Sequence, residues 1–547
     1  MISSTSWGEL SNTGQLIPLK LRLRESKMCV YKINMISRLF TATTQGIQAQ
    51  IIEVEVDLSP SLPMMVVVGL ADKAVQESKE RIRSGIKQSG YEFPLGKITI
   101  NLAPADIVKS GSSFDVPMAV GILRLSGEII GNISEKSIFL GELALDGGVR
   151  KVNGVLTICL WAKHNGFTEV FVPTENLSEA SLITGITIRP FSKLSELVLH
   201  LNNKCLITPI EPISISSLME SESHDADTLF PNDIAYVKGQ AVAKRALEIA
   251  ASGGHNVLLI GQPGSGKTLL ARSYSTILPR LTEHEIIEST QLYSVAGLLK
   301  SGEIITKRPF RAPHHSSSHV ALVGGGSKIR PGEISLAHRG VLFLDEFPEF
   351  GRETIEALRQ PLEDGFVTIS RASGSVEYPS RFYLIAAANP TPSGFDVDDP
   401  DGANIPQNRA AVARYQAKFS GPILDRIDLQ VDVNRPTKDE LQTMDLGEKS
   451  VDIAKRVQKA RDIQTKRFEK ENIVTNGEMS LRLVEKYCVL DEPCKKLMSQ
   501  AIDKFKLSAR SYVRILKLSR TIADLDDSEN ILLRHLAESL QYRGRWG

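Results

Sequence analysis

Gly261-Gln262-Pro263-Gly264-Ser265-Gly266-Lys267-Thr268 carries the densest chemistry in this chain. It follows an apolar run, Val257-Leu258-Leu259-Ile260, and leads into a helix-like segment beginning Leu269-Leu270-Ala271-Arg272. Strand, glycine-rich loop and helix in that order form a phosphate cradle. The glycines let backbone N–H groups close around a triphosphate, the Lys267 ammonium reaches the β and γ phosphates, and the Thr268 hydroxyl is placed to ligate Mg²⁺. A chance glycine-rich turn is the plain alternative; the full spacing with both flanks argues against it.

Two further strand ends could complete such a site. Val341-Leu342-Phe343-Leu344 runs into Asp345-Glu346. Asp345 can hold the Mg²⁺ shell while Glu346 polarises an attacking water. Phe382 to Ala388 is another buried-strand pattern, ending at Asn389-Pro390, where a polar side chain could position the lytic water or sense the γ phosphate. In Gly421-Pro422-Ile423-Leu424-Asp425-Arg426-Ile427-Asp428, an arginine between acids would by itself read as a surface ion pair.

These groups need a scaffold, and the chain supplies one in the right place. From 230 to 435, strand patterns alternate with helical ones around the phosphate loop, which predicts a parallel sheet wound on both faces. Residues 35–201 mix strands such as Gln50–Val56, Met65–Val68 and Ile98–Leu102 with an amphipathic stretch, Lys73 to Gln88, and so predict an α+β domain. Residues 202–229, with Pro209, Pro212, serines and acids, read as a solvated linker. Residues 436–547 are charged, with periodic apolar positions such as Ile453, Val457 and Leu481, and predict a small helical lid. Residues 1–34 read as a disordered leader or the product of an upstream start, with Met35 the working start.

A chain of 547 residues holds several cores, and a net charge of +1 gives no global signal for nucleic acid. The five cysteines are scattered without C-x-x-C spacing, and no apolar run is long enough to cross a bilayer. A cytoplasmic, soluble protein with no membrane partner is the expectation.

Taken together, the motifs resemble the AAA+ ATPases, and within them the magnesium-chelatase-like branch of the ComM/YifB competence-protein type. The segments carrying the resemblance include Arg308–His315, Arg330–Gly340, Leu358–Gly365, Leu507–Tyr512 and His535–Arg543, so it spans about Met35 to Arg543. It implies ATP and Mg²⁺ as cofactors. Lys267 and Thr268 become the Walker A pair, Asp345 and Glu346 the Walker B pair, and Asn389 the sensor beside the γ phosphate. Arg426 becomes an arginine finger acting on a neighbouring subunit, Arg510 on the lid a second sensor, and Val237 and Gln240 the border of the adenine. A finger in trans implies a homo-oligomeric ring, by analogy a hexamer.

The family's two insertions map to Lys307–Ala337 and to Phe366–Tyr378, the latter alternating around a Ser-Gly turn as a hairpin should. In related rings both face the pore, so Lys328, Arg330 and Arg371 are candidates for DNA phosphates; simple solvation is the alternative. Lid cations Lys504, Lys506, Arg510, Arg514, Lys517 and Arg520 are weaker candidates. His315 and His319 have i, i+4 spacing, but a serine- and glycine-rich context without a carboxylate disfavours a metal pair. Relatives carry a cysteine-rich insert after the sensor strand; this chain has Thr391 and Ser393 there and no cysteine through Asn408, so no zinc is expected.

The N-terminal domain resembles the Lon proteolytic domain of the ribosomal-S5-like fold group, through Gly141–Val149 and Gly111-Ser112-Ser113. The alignment puts Leu156 where the catalytic lysine would stand, and leucine cannot activate Ser113, so a domain without proteolytic activity is expected. The resemblance thus implies a ring-forming ATPase that moves DNA, a branch-migration helicase in natural transformation and recombination. The other reading is a chelatase-type motor that remodels a protein partner, against which the fused N-terminal domain argues.

Overall fold

The computed structural model describes residues 36–70, 72–109, 111–223, 232–326, 329–371, 374–392, 412, 414–415, 418, 421–442, 446–471 and 473–543. The leader, Lys328, and most of the segment expected to lack zinc ligands lie outside these residues.

The N-terminal domain is built on a seven-stranded mixed sheet in the order Met64–Val68, Lys97–Ala103, Gln48–Ser59, Ser37–Gln45, Ser137–Phe139, Glu169–Pro173, Thr187–Phe191. Its central hairpin turns at Gly46, whose φ of 63° favours glycine, and pairs Gln45 with Gln48. In Gln48–Ser59, Ile52, Val54 and Val56 are buried while Glu53 and Glu55 remain half-buried, the period-two pattern of a covered strand. Helices Lys73–Gln88 and Asp115–Leu125 pack on one side, and helix Val155–His164 belongs to a second core.

The expected linker is partly folded. Ile210 and Ile213 donate backbone hydrogen bonds to Ile188 O and Ser181 O (3.0 and 2.8 Å), and Ile215 is buried at the start of a helix, Ile215–Ser223. Serines and prolines dominate the composition here, but Ile210 and Ile215 find apolar partners on the N-terminal core, and that contact overrides the local polarity.

Residues 232–442 hold a five-stranded sheet in the order Phe310–Arg311, Val341–Leu344, Tyr383–Ala388, Val257–Ile260, Leu429–Asp432, every pair parallel. The three central strands are buried along their whole length, as a sheet covered on both faces requires. Alternate residues separate into two cores: Val257, Leu259, Phe343 and Ile385 join one, Leu258, Ile260, Leu342 and Leu344 the other. The C-terminal helices Ser450–Arg467 and Ala509–Leu525 enter the first core through Ile453, Val457, Leu518 and Ile522. The lid is therefore anchored to the sheet and also keeps a small core of its own, around Leu483, Met498 and Leu536.

Candidate nucleotide site

Parallel register brings three chain ends to one edge of this sheet. Ile260 lies opposite Ala388 and Leu344 opposite Ala386, so Gly261, Asp345 and Asn389 emerge side by side. Gly261 N–H donates to Ala388 O (3.1 Å), and a Cβ at Gly261 would stand 2.3 Å from Val433 O. Gly266 has a φ of 95° where the loop turns into helix Lys267–Ile277, a conformation that disfavours other residues.

Lys267 is the hub. Its Nζ donates to Gly261 O (2.6 Å), Gln262 O (2.9 Å) and Asn389 Oδ1 (3.2 Å). Burial lowers the pKa of this ammonium, and the Asp345 and Glu346 carboxylates oppose that shift. Thr268 Oγ1 donates to Asp345 Oδ2 at 2.9 Å, so the two oxygen ligands that a magnesium ion prefers already converge on one point. Ser265 Oγ is buried in the loop with no protein partner among the described residues. Gly264 and Pro263 complete the loop's exposed rim.

Glu346 is left-handed, with φ 49° and ψ 43°, a conformation that costs a non-glycine residue about 1–3 kcal/mol and recurs at functional positions. Its N–H donates to Asp345 Oδ1 (2.9 Å), and its Oε2 lies 2.9 Å from His315 Nδ1. His315 was weighed in the sequence only as half of a metal pair with His319. The structure joins it instead to Glu346, while His319 opens the helix His319–Val323. The adjacency comes from the fold: His315 follows strand Phe310–Arg311, which pairs directly with strand Val341–Leu344, after which Asp345 and Glu346 emerge. His315→Ala is expected to lower the kcat of ATP turnover about 10-fold to 100-fold while the KM for ATP stays near the parent value, because a displaced base loses alignment more than affinity. Steady-state kinetics at saturating Mg²⁺ checks this.

Gln240, at φ 59°, donates from Nε2 to Asn434 O, next to Val433, which follows strand Leu429–Asp432 and packs on Gly261. It therefore stands at the loop's edge. Val237 is 4% exposed and belongs to the core beneath the sheet.

Arg426 and Arg510 stand elsewhere. Asn256, which precedes strand Val257–Ile260, donates from Nδ2 to Arg426 O at 2.9 Å. The phosphate loop follows that strand's other end, about 16 Å of extended chain away. Arg426 pairs with Glu363, while Arg510 Nη1 lies 3.7 Å from Asp425 Oδ2. Sequence reasoning grouped Arg510 around the loop; within one chain the fold sets it beside Arg426 at the opposite edge, because the helix Ala509–Leu525 starts against the Asp425 segment.

The expected hairpin pairs Phe366–Arg371 with Gly374–Pro379. The other insert forms a short ladder, Gly324–Gly325 with Arg330–Pro331, and the two pack together: Tyr378 OH donates to Ile329 O at 3.0 Å. Arg330 and Arg371 are exposed. The N-terminal turn at Gly46 abuts Val376, so the inserts and the N-terminal domain meet. Three lid cations are spent on structure. Arg514 donates to Leu424 O and Ile427 O, Lys517 to Gly477 O, and Arg520 is buried against Asp524 and the carbonyls of Ser528 and Glu529. Their positions on helix Ala509–Leu525 face inward, which a count of basic residues does not reveal.

Ser113 and Lys151 line one cavity of about 270 Å³ between the N-terminal domain and the inserts. Lys151 Nζ donates to Leu299 O (2.9 Å), and Leu156 is fully buried, its N–H held by Glu179 Oε2. The lysine is committed to the neighbouring domain.

A phosphate loop, paired acids and a polar sensor at the carboxyl edge of a parallel sheet define a P-loop architecture of the chelatase-like kind. Three family models match in order: "Subunit ChlI of Mg-chelatase" over residues 54–176, "Magnesium chelatase, subunit ChlI" over 233–441 and "Magnesium chelatase, subunit ChlI C-terminal" over 447–543. Competence protein ComM of Haemophilus influenzae is 40% identical over 507 residues, covering 92% of this chain and 96% of the relative. The uncharacterized protein YifB of Escherichia coli is 39% identical over 509 residues, covering 93% and 97%. DNA replication licensing factor Mcm6 of Drosophila melanogaster is 23% identical over 310 residues, 55% of this chain and 34% of the relative. The chain belongs to the magnesium-chelatase-like ComM/YifB family. No helix among the described residues is long and apolar enough to cross a membrane.

Proposed function

We propose that this protein is a ring-forming, ATP-driven motor that acts on DNA, a branch-migration helicase serving natural transformation and homologous recombination. The observation that carries the ATPase part is the split of the site: Lys267, Thr268, Asp345, Glu346 and Asn389 converge at one sheet edge, while Arg426 and Arg510 sit at the other. Such arginines serve catalysis when a second copy presents its phosphate loop to them, so the geometry favours an oligomer, by analogy a hexamer. In each composite site Lys267 binds the β and γ phosphates, Glu346 takes the proton from the attacking water, and Asn389 orients that water. Thr268 and Asp345 would hold the Mg²⁺, which supplies charge neutralisation across the phosphates.

DNA as cargo is supported by a relative named for competence, by another named a DNA replication licensing factor, and by exposed Arg330 and Arg371 on the two inserts. The deciding experiment is an ATP-dependent unwinding and branch-migration assay on forked and four-way DNA, with Lys267→Ala as control. Absence of DNA-stimulated turnover, together with stimulation by a protein partner, would sink the DNA reading. Arg330→Ala and Arg371→Ala are each expected to weaken DNA binding across sequences and to reduce the slope of log affinity against log salt by about one. Fluorescence anisotropy at several salt concentrations measures both.

The chelatase-type reading keeps one specific observation: all three matching family models, including the one over the N-terminal domain, carry chelatase names. That domain therefore does not separate the two readings. Full-length similarity to ComM favours the first. The N-terminal domain serves assembly or substrate engagement rather than peptide hydrolysis, given Leu156 and the commitment of Lys151 to Leu299 O. Casein cleavage abolished by Ser113→Ala would overturn that assignment.

A further inference from the structure

A cavity of about 540 Å³ opens between the ATPase sheet and the C-terminal helices, at the same edge as Arg426. Cations crowd its wall, and nearly all are committed. Arg308 donates to the carbonyls of Pro279 and Arg339 (2.6 Å each) and to Glu285 (3.0 Å). Arg339 binds Glu288 (2.9 Å), Arg461 the carbonyl of Ala251 (2.8 Å), Arg514 that of Leu424, and Lys517 that of Gly477. Arg426 is held by Glu363.

Arg381 differs. Among the described residues its guanidinium has one acidic neighbour, Glu478 Oε1, at 3.9 Å, beyond hydrogen-bond reach. The other oxygen of Glu478 already accepts from Val474 and Thr475 N–H (2.8 and 3.2 Å). The backbone of Arg381 is nevertheless clamped: its N–H donates to His338 Nδ1 (3.1 Å) and its carbonyl accepts from Arg339 N–H (2.6 Å). Its stem lies on Gly365, where a Cβ would come within 2.9 Å of Arg381 Cγ. Gly365 closes the helix Arg359–Asp364, whose Glu363 grips Arg426. One helix end thus supports both arginines, one hydrogen-bonded to a carboxylate and the other with a carboxylate only at 3.9 Å.

We infer that Arg381 is a second trans-acting cation, delivered with Arg426 to the triphosphate bound by the adjacent subunit. A guanidinium is charged at every accessible pH and offers a planar fork of donors suited to phosphate oxygens. A rigid backbone with an unspent charge on a cavity wall is the arrangement expected of a group whose partner arrives with another chain. The inference rests on the intersubunit site proposed above and names a further residue in it.

The test uses full-length subunits mixed in pairs. Arg381→Ala is expected to lower kcat for ATP about 10²-fold. Mixed with Lys267→Ala subunits, which hydrolyse nothing but carry intact arginines, it should regain turnover above the sum of the separate proteins. Random mixing restores roughly a quarter of the interfaces in a ring. Arg426→Ala mixed with Lys267→Ala is the parallel arm. Complementation by Arg426→Ala alone would overturn the role of Arg381 and leave the intersubunit site standing; complementation by neither would overturn both. Arg381→Gln, which keeps the stem on Gly365, should be as impaired as Arg381→Ala. Parental activity in that variant would mean that packing, not charge, is what matters. Loss of DNA affinity with unchanged DNA-free turnover would also overturn the proposal.

Discussion

Glu346→Gln is expected to bind ATP and assemble as the parent does, while its turnover falls about 10³-fold, the scale of losing a general base. The physical basis is local. Glu346 is carried past the end of strand Val341–Leu344 in a left-handed conformation, with its carboxylate on His315 and its N–H on Asp345. The amide keeps the shape and the hydrogen bond to His315 but cannot take a proton from water. Because Lys267, Thr268 and Asp345 are untouched, nucleotide affinity should survive. Binding of a fluorescent ATP analogue, oligomer mass by mass photometry and phosphate release together check this. Turnover at the parent rate would show that another group acts as the base.

The second large effect is expected at Arg426. Arg426→Ala should lower kcat by about 10³-fold or more, the range associated with supplying a cation to a transferring phosphoryl group. It should leave ATP binding to the isolated subunit unchanged, since the residue lies at the sheet edge opposite the phosphate loop. These two outcomes separate a finger acting in trans from a residue of its own subunit's pocket. A fall in intrinsic nucleotide affinity equal to the fall in kcat/KM would count against it. The side chain is 12% exposed and paired with Glu363, so thermal melting of the variant is needed to separate catalysis from folding.

Much of this site is legible in the order of residues. The phosphate loop, the acids after Val341–Leu344 and the asparagine after Tyr383–Ala388 each follow an apolar run, and parallel pairing of such runs must deliver their ends to one edge. The hairpin at Phe366–Pro379 was legible for the same reason, alternation around a Ser-Gly turn. His315 was not, because its partner lies 31 positions downstream and only the adjacency of two strands brings them together. The order within the linker was not legible, because Ile210 and Ile215 meet an apolar surface far away in sequence.

Lys267 and Arg510 mark the boundary between the two kinds of knowledge. Local sequence determined what the phosphate loop can hold, since backbone torsions, a short lysine reach and a strand-to-helix turn are settled by neighbours along the chain. Tertiary structure alone decided which side of the sheet each arginine occupies. It set Arg426, Arg510 and Arg381 at the far edge and spent Arg514, Lys517 and Arg520 on carbonyls and a carboxylate. The type of a charged side chain says nothing of the partner it will meet. That depends on contacts between segments far apart in sequence, and here it separates Arg426 and Arg510 from the phosphate loop of their own chain.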